Sequence, residues 1–130
     1  MTEARKKKIL IVEDNSDIAQ GLSIRLTASG YQTVTTAKAH EALQIARKDA
    51  PDLVLLDIGL TDTIGLQLIR QFQHDPELAT IPFIILSGVI AEYVTEWAVE
   101  AGVKAYFQKP ANNEKLLDAI HSALEENRKR

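Results

Sequence analysis

Residues 52–60 read DLVLLDIGL, in which four large aliphatics, Leu53, Val54, Leu55 and Leu56, run directly into the carboxylate of Asp57. An unbroken apolar run of this length reads as a strand covered on both faces, as in a parallel sheet packed between helices. Asp57 stands where that strand ends. Ligands of open α/β sheets bind outside the carboxyl ends of the strands, so the acid is at the usual place for chemistry. Taken alone, an aspartate here reads more simply as a loop residue capping the next turn.

Working outward, Ile9, Leu10, Ile11 and Val12 form a second continuous run, ending in Glu13 and Asp14. Asn15 or Ser16 offers an N-cap, and Ile18, Leu22 and Leu26 recur at helical spacing until Gly30. Tyr31 to Thr36 is aromatic and β-branched but more polar, which suits an edge strand. Ala39, Ala42, Leu43 and Ala46 predict a helix ending before Pro51. After Asp57, the small and polar segment GLTDTIG marks a loop, followed by a helical stripe of Ile64, Leu68, Ile69 and Phe72 that Asp75-Pro76 breaks. Phe83, Ile84, Ile85 and Leu86 form a third buried-type strand, ending in Ser87. Ile90, Val94, Trp97, Ala98 and Ala101 predict a fourth helix. Ala105, Tyr106 and Phe107 make a short fifth strand closed by Gln108, Lys109 and Pro110, and Leu116, Leu117, Ile120 and Leu124 predict a final helix capped by Asn112 or Asn113.

Five strands alternating with five helices imply a parallel sheet with helices on both faces, joined by right-handed crossovers, in a three-layer α/β sandwich. Spacing alone leaves the strand order open. The 130 residues suit one domain spanning 1–130, with its core at about 7–126. A formal charge of −3 argues against direct nucleic-acid binding, which calls for a basic surface. The chain has no cysteine, which excludes disulfides, thiolate catalysis and Cys-ligated metals. The start, MTEARKKKILIV, has too short an apolar core for a signal peptide or a membrane span, so a cytoplasmic protein without membrane insertion is expected. The basic run Arg5 to Lys8 and the tail Arg128 to Arg130 read as solvated ends. His40, His74 and His121 are scattered, and none reads as a ligand.

Parallel strands carry their carboxyl ends to one rim, with neighbours roughly 5 Å apart. Glu13, Asp14, Asp57, Ser87 and Lys109 are therefore expected together. Three acids in one pocket call for a cation, and an all-oxygen set suits Mg2+ or Mn2+ better than zinc. A nucleophile, a hard metal and further donors are what phosphoryl transfer to a carboxylate requires. Asp57 is the best nucleophile, because it follows the most buried strand and adjoins a small-residue loop. Ser87 alone reads as a turn hydroxyl and Lys109 alone as a solvated charge, but their placement at matching strand ends favours a shared role as donors to phosphoryl oxygens.

ILIVEDN at 9–15, LVLLDIGL at 53–60 with Gly65 beyond it, IILSG at 84–88 and AYFQKP at 105–110 resemble the response regulator receiver domain, with its chemotaxis-regulator-like members. The likeness covers nearly the whole chain. It implies a flavodoxin-like (βα)5 fold with strand order 2-1-3-4-5. It implies that Asp57 takes a phosphoryl group from a phosphohistidine on a sensor histidine kinase or histidine phosphotransfer protein. Mg2+ would then be held by Asp14, Asp57 and the backbone carbonyl of Gly59, with Glu13 acting through water. Ser87 and Tyr106 would form a switch that reshapes the face of the fourth helix, fifth strand and final helix, and the Lys109-Pro110 bond would be cis.

The resemblance makes the chain a signalling phosphoacceptor rather than an enzyme, although one that assists its own phosphorylation and dephosphorylation. The implied readers are a downstream protein or an output domain absent from this chain, and a phosphorylation-dependent dimer is left open. Thr61, where the family commonly has proline, and Ala111, where a bulky aromatic is common, depart from the pattern. An Mg2+-dependent aspartyl phosphatase would usually place a second acid at the position of Gly59. A flavodoxin-like cofactor module would need a less acidic loop than EDNSD. A receiver-like scaffold that has lost its switch is the remaining alternative.

Overall fold

The computed structural model describes residues 6–58, 62–88, 101–109 and 111–128. The apolar runs become five strands, β1 (Lys8–Val12), β2 (Gln32–Thr36), β3 (Leu53–Ile58), β4 (Phe83–Ser87) and β5 (Ala105–Gln108). They form one sheet in the order β2-β1-β3-β4-β5, and every neighbouring pair is parallel. Four helices are described, α1 (Ser16–Ala28), α2 (Ala39–Asp49), α3 (Asp62–His74) and α4 (Asn113–Arg128), the last being the final helix of the sequence reading. The helix expected over 90–101, with Trp97, lies outside the described residues, as do Gly59, Thr61 and Pro110.

Local chemistry sets the helix ends. Asn15 is extended, and its side chain accepts the N–H groups of Asp17 and Ile18, so it is the cap of α1. Asn112 does the same for α4, accepting the N–H of Lys115 at 3.0 Å. α2 stops at Ala50, which adopts the left-handed conformation (φ 47°, ψ 64°) just before Pro51, a residue that disfavours helix in its predecessor. α3 stops at His74, where Asp75 Oδ1 accepts the N–H of Glu77 and forms a turn around Pro76.

The period of two along each strand divides the core between two layers. Leu10, Val12, Val54, Leu56 and Ile85 face α2 and α3, where they meet Ala42, Ala46, Leu68 and Phe72. Ile9, Ile11, Leu53, Leu55 and Ile84 face α1 and α4, where they meet Leu22, Leu26, Leu116 and Ile120. Each fully buried Leu or Ile contributes roughly 1.5–3 kcal/mol, and β3 has no exposed aliphatic on either side from Leu53 to Leu56. That double burial is why DLVLLD shows no alternation. β2, the edge strand, is only half-buried, as its polarity predicts.

One member of the expected α1 stripe departs from it. Ile18 is 38% exposed, and Ala19 is buried instead. Residues four apart on a helix advance by about 40° per step. Ile18 therefore rotates away from the sheet that holds Leu22 and Leu26.

Candidate functional site

The strand register builds the site. Val12 pairs with Leu56, Asp57 with Leu86, Ile58 with Ser87, and Ser87 with Gln108. Glu13, one residue past β1, thus comes to the level of Asp57, and Lys109, one residue past β5, to the level just beyond Ser87. The N–H of Glu13 donates to Thr36 O at 3.0 Å and that of Lys109 to Ser87 O at 2.7 Å, so both residues prolong the sheet ladder. Their side chains are aimed by backbone that the sheet has already ordered.

Glu13, Asp57 and Lys109 are brought together. Lys109 Nζ lies 2.5 Å from Asp57 Oδ2 and 3.6 Å from Glu13 Oε1. The two carboxylates are almost fully buried, with side chains 3% and 2% exposed for Asp57 and Glu13, while the lysine keeps contact with water at 29%. Glu13 Oε2 accepts the N–H of Asn15 at 3.0 Å. Asp57 Oδ2 accepts from the Lys109 ammonium in a short charge-assisted contact, whereas Glu13 Oε1 meets it only as a longer ion pair.

Two buried acids thus share one cation. Burial pushes the Asp57 carboxyl above the ordinary aspartate value of 3.8, and Lys109 opposes the shift without cancelling it. Charge crowding of this kind favours any further cation that reaches the site.

Asp14 is exposed at the start of the loop into α1. Ser87 is fully buried at the end of β4. Tyr106 lies on β5 opposite Ile85, half-buried against the layer covered by α2 and α3, and burial raises its phenol above the usual 10.0. Among the described residues no three Asp, Glu or His side chains gather closely enough to enclose a metal ion. The Gly59 carbonyl and the Lys109-Pro110 peptide lie outside the described residues.

Asn15 has a part that the sequence reading assigned only to helix capping. Its side chain caps α1 while its N–H holds Glu13 Oε2. A backbone donor carries no mark in residue type, so only the closed loop from Glu13 to Asn15 reveals it.

A parallel 2-1-3-4-5 sheet with two buried acids and a lysine at its carboxyl rim defines a receiver-type α/β domain. Residues 9–121 match the response regulator receiver domain family, and the chain belongs to it. It is similar to the polar-differentiation response regulator DivK of Brucella anthropi, with 35% identity over 118 residues, 91% of this chain and 96% of that protein. Among solved structures it resembles a CheY-like receiver domain protein from Methanospirillum hungatei at 30% identity and a TM-score of 0.85, covering 96% and 98% of the two chains. A sensor protein from Polaromonas is similar at 25% identity and a TM-score of 0.86, covering 95% and 99%. The chain is thus the receiver domain of a two-component system, a class of signalling phosphoacceptors that interact with histidine kinases or phosphotransfer proteins.

Proposed function

We propose that Asp57 is the phosphoacceptor. A carboxylate oxygen of Asp57 would form the new O–P bond as the P–N bond of a donor phosphohistidine breaks, and the departing imidazole nitrogen would take its proton from solvent. The observation that carries this reading is the buried Asp57 carboxylate at the end of the central strand, held directly against the Lys109 ammonium. Lys109 would neutralise the incoming phosphoryl oxygens, and Ser87, at the next strand end, would donate to them.

The donor set fits Mg2+, which typically keeps several waters and needs only one or two carboxylates plus phosphate oxygens. Asp57 and Asp14 would be the direct ligands together with the Gly59 carbonyl, and Glu13 would act through water. The bound cation would supply charge neutralisation for phosphoryl transfer. Mn2+ satisfies the same oxygen ligands.

Phosphorylation adds roughly −1.5 to −2 of charge beside Lys109. In this reading Ser87 and Lys109 are drawn inward, and Tyr106 turns toward the space released. That reshapes the surface at β5 and α4 for a downstream partner or output domain, in a cytoplasmic single-domain unit with its core at about 7–126.

Intact mass after treatment with Mg2+ and acetyl phosphate tests the central step. The wild type should gain one phosphoryl group and Asp57→Asn none. An equal gain in both, or none in the wild type, would overturn the assignment.

A further inference from the structure

On the sheet face covered by α1 and α4, beside the acid cluster, a cavity of about 420 Å3 opens between the two helices. Leu22, Leu86 and Leu116 form its buried walls, and Ile18 stands at its mouth. Ala111, in the turn before α4, reaches only a methyl group toward it. The volume and the apolar walls fall in the ordinary range for small-molecule sites, roughly 300–1,000 Å3 with a few polar groups at the edge.

The polar part of the lining is cationic. Among the described residues it consists of Arg25 and Lys109, with no acid between them. Their situations differ. The Lys109 ammonium is turned to Asp57 and Glu13, which leaves its aliphatic stem to serve as a wall. The Arg25 guanidinium has no ion pair or side-chain hydrogen bond among the described residues. An apolar slot therefore opens beside one uncommitted positive charge. Ile18 extends the apolar surface to its entrance, where it is one of two large hydrophobic side chains exposed among the described residues.

We propose that this cavity is a second binding site, which takes a small amphipathic anion. A flat apolar body of one or two rings would lie between α1 and α4, with its acid group at Arg25. The site is independent of whether Asp57 accepts a phosphoryl group.

The probe is 1-naphthylacetate, with neutral 1-naphthylacetamide as its control, titrated into the full chain and followed by 15N NMR. The amides of Leu22, Leu86 and Leu116 should shift together and saturate, with the acid bound more tightly than the amide. Arg25→Gln should weaken the acid about 3- to 5-fold, the value of an exposed ion pair, and leave the amide unchanged. Ala111→Phe should weaken both roughly tenfold or more by filling the slot. Because that change touches the start of α4, Ile18→Glu at the water-facing mouth is the second variant, and it should weaken the acid more than the amide. Shifts that do not saturate, shifts scattered over the surface, equal affinities for acid and amide, or full binding by Ala111→Phe would each overturn the proposal.

Discussion

At the amino-terminal rim of the sheet, Asp52 accepts the N–H of Lys8 at 2.8 Å, Asp75 meets Arg47 at 3.0 Å, and Lys104 meets Glu126 at 2.9 Å. At the carboxy-terminal rim, Glu13 and Asp57 share one lysine, which sits close against Asp57 and farther from Glu13. Two aspartates express the contrast. The Glu77 N–H and Arg47 pull the Asp75 carboxyl below the usual 3.8, whereas burial lifts Asp57 above it despite Lys109. One rim uses charge to close the fold. The other holds two buried acids against one cation, which costs stability.

The largest break in that contrast is Lys109→Met. It removes the cation from two buried acids. Full loss of a buried partner costs about 3–5 kcal/mol, and the lysine's contact with water reduces the expected penalty here to about 2 kcal/mol. Urea unfolding at neutral pH measures it. The rate of phosphorylation by acetyl phosphate should fall on the order of 100-fold, as for removal of a preorganised donor. An unchanged urea midpoint would mean that the acids are not held by this lysine.

Asp57→Asn should act in the opposite direction on stability, raising it by about 1 kcal/mol at neutral pH, or a few °C. The sign follows from proton linkage. A carboxyl whose folded value lies above its unfolded one binds protons more tightly in the fold, so wild-type stability falls as pH rises through the window between the two. The variant's advantage should therefore appear above about pH 4 and vanish at lower pH. Thermal melts across that range check it, and an advantage that grows on acidification would refute it.

At the opposite rim, Ala50→Gly should stabilise by roughly 0.5–1 kcal/mol. Ala50 holds a left-handed conformation that glycine adopts without the Cβ penalty. Chemical denaturation measures the gain, with no accompanying change in phosphorylation. The smallest effect is expected for Asp75→Asn, because the Arg47 pair is largely exposed. Its sign distinguishes it. A lowered folded pKa adds stability above the unfolded value and loses it as pH falls, so Asp75→Asn should be mildly destabilising at neutral pH and neutral in acid, the mirror image of Asp57→Asn.

Much of this arrangement was legible before any coordinates. The runs at 9–12, 53–56 and 83–86 read as strands because burial on both faces removes alternation, and they are the central strands β1, β3 and β4. The edge position of β2 was visible in its polarity. Ile18 belongs to the predicted helix but stands 38% exposed, since a helical stripe records spacing and not where the sheet beneath it ends. The proximity of Glu13, Asp14, Asp57, Ser87 and Lys109 was inferred from strand-end position. Ion pairs join Glu13, Asp57 and Lys109, while Asp14 is exposed and the expected group of three acids is not formed among the described residues. Their unequal exposure, and the hold of the Asn15 N–H on Glu13, depend on backbone direction and had no counterpart in residue type.

By itself, the sequence determined the strands and the helices between them, narrowed the caps to Asn15 or Ser16 and to Asn112 or Asn113, and placed particular residues at the carboxyl ends of the strands. These are local consequences of hydrophobic period and side-chain hydrogen bonding. Only the tertiary structure decided that Lys109 serves two acids at once, that Asp57 is nearly dry, and that an apolar cavity edged by Arg25 opens beside them. Desolvation and ion pairing depend on distances between residues far apart in the chain, and those distances exist only once the register of five strands has closed.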